Sequence, residues 1–182
     1  MSLQSVIISE LVSDFTDPVL ELIEHTYMDS FPEAERRPFV ALCELLRYEP
    51  KFYVLALYRE KKYVGFITYW LFNGFVYVEH FAVDGCARNG GVGATAMQQF
   101  LNSQKLPVVL EVETPTDEIS RRRIAFYERL GFVLDTHTYL QPPYRSGGDW
   151  VDLRLMTWGE LDLSHAFESV KHTLYTHVYG VR

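Results

Sequence analysis

Arg88, Gly91 and Gly93, spaced R-x-x-G-x-G, are residues that could hold an anion. Before them runs Phe75-Val76-Tyr77-Val78, continuing through Phe81-Ala82-Val83, with Glu79 and His80 inside it. That aromatic and β-branched run reads as a strand. After them Gly93, Ala96, Met97, Phe100 and Leu101 fall at i, i+3, i+4, i+7 and i+8, one face of a helix. A helix start leaves backbone N–H groups without partners, and its dipole is positive there. Glycine has no Cβ to hold an anion off the backbone. A strand, a glycine-rich turn and a helix therefore make a phosphate cradle, to which Arg88 adds a charged donor.

Two well-known cradles fit poorly. The Walker pattern needs Gly-Lys-Ser/Thr, and Gly93 is followed by Ala94-Thr95. The dinucleotide pattern is met only in its relaxed form, ending at Ala96, and in mid-chain. A glycine-rich turn with no ligand explains the same residues equally well.

The surrounding elements position this turn. Val6-Ile7-Ile8 reads as a first strand, and Asp17-Pro18 as the start of a helix carrying Val19, Leu22, Ile23 and Tyr27. Phe39, Leu42, Cys43 and Leu46 give a second helix that stops before Pro50. The strands Phe52–Tyr58 and Tyr63–Leu71 then lead through Asn73-Gly74, a strong hairpin signal, into the Phe75 strand. These three strands form an antiparallel meander. Val108 to Glu113 follows the Gly93 helix, so strand, helix and strand imply a parallel pair, with ligands at the carboxyl ends of its strands. Ser120 reads as the cap of a helix over 121–130, with Gly131 past its end. Tyr139-Leu140 and Val151–Met156 read as a closing hairpin. Phe167, Val170, Leu174 and Val178 mark a terminal helix.

The bulk figures bound the class. A chain of 182 residues with 48% hydrophobic and 15% aromatic content can bury one sizeable core. A net charge of -7 argues against nucleic acid and is compatible with a cationic substrate. No apolar run reaches the roughly 20 residues of a membrane span, and no signal peptide is evident. Cys43 and Cys86 form no C-x-x-C, so a reduced cytoplasmic setting is expected. The six His show no spacing for a structural metal, and none is expected.

A second segment makes the reading specific. Ser120-Arg121-Arg122-Arg123-Ile124-Ala125-Phe126-Tyr127-Glu128-Arg129-Leu130-Gly131-Phe132 resembles the GNAT acetyltransferase motif of an Asn, several residues, then F/L-Y-E-K-L-G-F. It stands one strand and one loop beyond the R-x-x-G-x-G turn, as that family requires. The resemblance covers about Val6 to Trp158. It implies an α/β fold with a mixed, mostly antiparallel sheet of about seven strands flanked by helices, with residues 1–162 as the acetyltransferase domain and 163–182 as a helical tail. The apolar stripe of that tail suggests contact with a second subunit, hence a homodimer.

The resemblance also implies roles. Phe81, Ala82 and Val83 match the strand end that pairs with the pantetheine arm of acetyl-coenzyme A. Arg88, Asn89, Gly90, Gly91, Val92, Gly93 and Ala94 match the pyrophosphate loop. Tyr127 matches the acid beside the departing sulfur. Ser120 stands where the family often has Asn, which weakens its claim to contact the cofactor; one of Arg121 to Arg123 is a candidate for the 3′-phosphate. The implied reaction moves an acetyl group to the primary amine of a small molecule or peptide. A non-catalytic acyl-coenzyme A binding module is the alternative.

Only a neutral amine attacks, so a base is needed. Glu79 is the candidate, His80 the rival, and no dedicated base a third reading. Strand alternation would put Glu79, Phe81 and Val83 on one face and His80 and Ala82 on the other. Tyr27 and Phe31 are candidates for the acceptor pocket, because the two early helices cover the acceptor side in this family.

Overall fold

The computed structural model describes residues 6–181. The first strand, β1 (Ile7–Val12), is followed by helices α1 (Val19–Ser30) and α2 (Phe39–Tyr48). Strands β2 (Phe52–Arg59), β3 (Lys62–Leu71) and β4 (Val76–Val83) form the expected meander. Helix α3 (Val92–Ser103), strand β5 (Val108–Glu113) and helix α4 (Glu118–Arg129) follow. Strands β6 (Val133–Leu134), β7 (Tyr139–Gln141) and β8 (Val151–Trp158) precede helix α5 (Leu163–His177).

All eight strands join one sheet in the order β1-β2-β3-β4-β5-β8-β6, with β7 also on β8. Among the described residues only the β4–β5 pair is parallel. The expected adjacency of the Phe75 and Val108 strands holds, and the eight strands agree with the sheet of about seven anticipated.

Two apolar clusters cover the two faces. On one, Leu20 and Ile23 of α1, Leu42 of α2 and Phe167, Val170 and Leu174 of α5 meet Val54, Phe66 and Trp70 of the sheet. On the other, Met97 and Phe100 of α3 and Ile124 and Tyr127 of α4 meet Ile67, Val78 and Leu110. Helix α5 therefore belongs to the same core as the sheet. The tail expected to stand apart, with an apolar stripe free for a second subunit, instead buries that stripe within its own chain. Burial of four side chains, Leu163, Phe167, Val170 and Leu174, is favourable by about 1.5–3 kcal/mol each.

Two irregularities shape the middle of the sheet. Parallel pairing of β4 with β5 runs only from Val76↔Val108 to Val78↔Leu110, so the strands part beyond it. On the other side of β4, Thr68 pairs with His80 and Tyr69 with Val78. Glu79 has no partner, and the ladder carries a β-bulge at that residue.

Candidate active site

A cleft of about 440 Å³ lies where β4 and β5 part, lined by β4 residues Val78 to Val83 and β5 residues Leu110 to Glu113. The Asp84 N–H bonds to Val64 on β3 at 2.9 Å. Alternation along the strand then turns the backbone groups of Phe81 and Val83 toward the open side. Phe81, Ala82 and Val83 all line the cleft.

The glycine turn closes one end. Gly91 is the N-cap of α3 with φ 69°, and no side chain caps the helix. The first N–H groups of α3, on Val92, Gly93 and Ala94, are thus left for a ligand. Asn89 also has positive φ. Arg88 donates to the Val83 carbonyl at 3.2 Å and to Ser30 Oγ at 3.3 Å. Of these residues Arg88 and Gly93 line the cleft, while Asn89, Gly90, Gly91, Val92 and Ala94 build the turn beside it. A Cβ on Gly93 would sit 3.4 Å from Val83 Cγ2 and 3.7 Å from Phe81.

Tyr127 of α4 lines the cleft between Phe126 and Phe132, whose rings lie edge-on at 5.1 and 5.4 Å. Burial pushes its phenol up to about 12, so it stays protonated at neutral pH. Ser120 lies elsewhere. Helix α4 starts at Glu118 with Asp117 as N-cap, and Ser120 is the third helical residue. Its hydroxyl is engaged with Asp117, accepting from N–H at 3.2 Å and donating to the carbonyl at 3.1 Å. It is absent from the lining. The expected cofactor contact at Ser120 is corrected on that ground.

The bulge overturns the expected faces of β4. Because Glu79 is an extra residue, the alternation slips: Tyr77, Glu79, His80 and Ala82 turn toward the α1–α2–α5 side, and Phe81 and Val83 toward α3 and α4. Glu79 has no exposed side-chain surface and is ion-paired with Arg37. Its carboxylate also accepts from Trp70 Nε1 at 2.8 Å and from the Tyr144 hydroxyl at 2.9 Å. Burial alone would raise its pKa, but the Arg37 charge and these donors outweigh burial and hold it below the ordinary carboxylate range. Such a carboxylate is a weak base, which corrects the expectation of a free proton acceptor at Glu79.

His80 is equally occupied. Its Nε2 faces the Glu35 carbonyl at 3.1 Å, which accepts only, so Nε2 carries the hydrogen. Nδ1 then accepts from Thr68 Oγ1 at 3.4 Å. Burial lowers its pKa, and the ring is neutral near pH 7. Phe31 packs edge-on against it at 4.7 Å and lines the cleft. Tyr27 does not: it is fully buried, donates to the Arg37 carbonyl at 3.2 Å, and its pocket role is corrected.

Three cleft or subjacent residues escaped sequence reasoning as functional, Arg37, Glu111 and Gln141, and Tyr144, one of several aromatics that reads from sequence more simply as core, also lines the cleft. Glu111 on β5 lines the cleft and accepts from the hydroxyls of Tyr139 and Tyr179, the latter at 2.7 Å. Burial pushes its carboxyl up to about 7 despite these donors. A signal was present, since strands of a parallel pair are normally apolar on both faces, and Glu111 and Glu113 interrupt β5.

A sheet that parts over a glycine-rich helix start, with a tyrosine on the next helix, places the chain among the acetyltransferases. More particularly, residues 17–132 match the acetyltransferase (GNAT) family, and the chain belongs to it. A solved structure from Bacteroides thetaiotaomicron, assigned to the same family, is 38% identical, with TM-score 0.92 over 96% of this chain and 99% of that one. Fold likeness extends to a spermidine N-acetyltransferase chimera from Vibrio cholerae and hSSAT (15% identity, TM-score 0.62, 85% of this chain and 95% of that). It extends also to a Bacillus subtilis acetyltransferase in complex with CoA (12%, 0.58, 85% and 99%). None of the curated proteins compared matches the chain.

Proposed function

We propose that the protein transfers an acetyl group from acetyl-coenzyme A to a primary amine. The observation that carries this reading is the single cleft lined by the free edge of β4, by Arg88 and Gly93 of the cradle, and by Tyr127. Support for the co-substrate comes from the fold shared with a protein crystallised with CoA, and for the amine from the fold shared with a spermidine N-acetyltransferase.

In this reading the pyrophosphate lies on the N–H groups of Val92, Gly93 and Ala94, with Arg88 leaving Val83 to meet it. The pantetheine arm runs along β4 and pairs with the backbone of Phe81 and Val83. That fixes the thioester beside Tyr127. A thiol has a pKa near 8.5, below the phenol at about 12, so full transfer of the phenolic proton is uphill. Tyr127 therefore eases the departure of the thiolate chiefly by donating a hydrogen bond. Glu79 positions Arg37, Trp70 and Tyr144 under the acceptor half of the cleft. The free amine attacks the carbonyl carbon, the C–N bond forms, and the C–S electron pair leaves with sulfur.

Calorimetric titration with acetyl-coenzyme A tests the binding half. Saturable heat that shifts to weaker affinity in Gly93→Val is expected; absence of heat in the folded parent would remove the reading.

A further inference from the structure

Glu79 and Glu111 both line the cleft; the Glu79 side chain has no exposed surface and Glu111 is half-buried, but only Glu79 has a cation. Among the described residues no Lys, Arg or His pairs with Glu111. Its oxygens accept from the hydroxyls of Tyr139 and Tyr179, and the Tyr77 hydroxyl also lies against it. A carboxylate partly withdrawn from water without a counter-charge is disfavoured, so the site favours either a proton or an incoming cation. Two residues beyond Tyr139 on β7 is Gln141, which lies on the same face of that strand. It is 2% exposed and lines the cleft, and its Nε2 is enclosed without a hydrogen-bond partner. Buried amide groups are rarely left unpaired, and an exception inside a cleft points to a ligand.

We propose that Glu111 and Gln141 form the acceptor subsite: Glu111 receives the ammonium of a primary amine and takes its proton, and the Gln141 carboxamide binds an oxygen carried close to that amine. This assignment rests on the acetyltransferase reading above. The acceptor class is a primary amine with a neighbouring carbonyl or hydroxyl. One proton passes from R–NH3+ to the Glu111 carboxylate. The freed nitrogen pair forms the C–N bond, and the C–S pair goes to sulfur. The second nitrogen proton reaches the thiolate through solvent, and Glu111 returns its own proton to solvent, so amide, free thiol and one proton result.

Titration of Glu111 is set by every element around it. Tyr77 and Glu79 face it from β4, Tyr139 from β7, Tyr144 from the loop after β7, Tyr175 from α5, and Tyr179 from the segment after α5. Burial and the Glu79 charge raise it, while the phenol hydrogen bonds lower it, with the result about 7.

The test reads Glu111 directly. In protein carrying 13C-labelled glutamate, the Glu111 carboxyl signal is identified by its loss in Glu111→Gln. Its midpoint near pH 7 is expected to fall when propylamine is added, since an ammonium favours the carboxylate. Glycinamide, which adds a carbonyl, should do so at lower concentration, and Gln141→Leu should remove that advantage while leaving the propylamine shift. With acetyl-coenzyme A present, Glu111→Gln should lower kcat/KM about 10²-fold and erase the limb near pH 7, with unchanged acetyl-coenzyme A heat. A Glu111 midpoint that neither amine moves, or a parent-like pH profile in Glu111→Gln, overturns the assignment. Should that variant fail to fold, the parent titration and Gln141→Leu decide alone. Failure of the parent to bind acetyl-coenzyme A would instead sink the acetyltransferase reading and leave the amine-induced shift as a separate result.

Discussion

Arg37 Nε lies 3.2 Å from Glu79 Oε1, an ion pair that ties the segment before α2 to the bulge in β4. Both side chains are almost wholly withdrawn from solvent. The Arg37 guanidinium also lies over the Tyr144 ring at 4.7 Å and donates to the Val178 carbonyl at 3.4 Å. One cation thus fastens the acceptor side of the cleft to the end of the chain.

Removing one partner leaves the other charged and unpaired. Glu79→Ala should destabilise by about 3–5 kcal/mol, read from denaturant unfolding. The sign with pH follows from the depressed carboxyl. Its contribution is present above the unfolded value near 4.3 and is lost as pH falls through the lower folded value. A parent that keeps full stability down to pH 2, or a Glu79→Ala protein as stable as the parent, would contradict the ion pair.

Glu111 has the opposite sign. Its folded carboxyl is raised to about 7, so its stabilising effect is present below the unfolded value and is lost as pH rises through 7. Glu111→Gln should therefore raise Tm at pH 8 and not at pH 5. For a chain of this length about 1 kcal/mol corresponds to about 2–4 °C. An equal change at both pH values would show that Glu111 does not titrate there.

The cradle is tested at Gly93 and Arg88. A Val side chain at Gly93 would enter the space bounded by Val83, Phe81 and Phe126, and overfilling of this kind costs about 1–3 kcal/mol. Acetyl-coenzyme A affinity should fall roughly tenfold or more. Arg88→Ala removes one charge-assisted contact, about 1.5–3 kcal/mol, and should make binding less salt-sensitive. Unchanged affinity in folded variants of both positions would refute the assignment of the turn.

Deleting residues 163–182 exposes the face that α5 covers. The four buried side chains of α5 represent about 6–12 kcal/mol at about 1.5–3 kcal/mol each, comparable with the whole stability of a domain. The truncated chain should fail to fold cooperatively by circular dichroism. A folded truncated protein would restore the idea of a detachable tail.

The elements were legible because local chemistry marks them. Asn73-Gly74 gave the hairpin, the 3.6-residue stripe gave α3, and two spaced motifs gave the family. The acceptor side was not legible, for physical reasons. Period-two counting assigns faces only in a regular ladder, and the bulge adds one residue at Glu79. Arg37 lies among charged and proline residues that usually face water, and nothing local indicates that it reaches a residue 42 positions away. Ser120 read as a cap because Ser is a good one, yet Asp117 takes that place and Ser120 completes the capping box. Tail residues looked unpartnered because the strands that receive them lie far back in the chain.

Tyr127→Phe keeps the ring that packs on Phe132 and removes only the hydroxyl. Loss of a hydrogen bond to a developing charge, about 1.5–3 kcal/mol, should lower kcat about 10–10²-fold with near-normal acetyl-coenzyme A affinity. Turnover at the parent rate would reduce Tyr127 to a packing residue.

The most direct measurement is thiol release from acetyl-coenzyme A by the parent protein, followed across a panel of primary amines that includes propylamine, diamines and amino-acid amides, with the product weighed by mass spectrometry. Amine-dependent release of free thiol, one for each amine made heavier by an acetyl group, is the expected result. Saturable binding of acetyl-coenzyme A with no amine-dependent thiol release on any of these acceptors would contradict catalysis and leave an acyl-coenzyme A binding module.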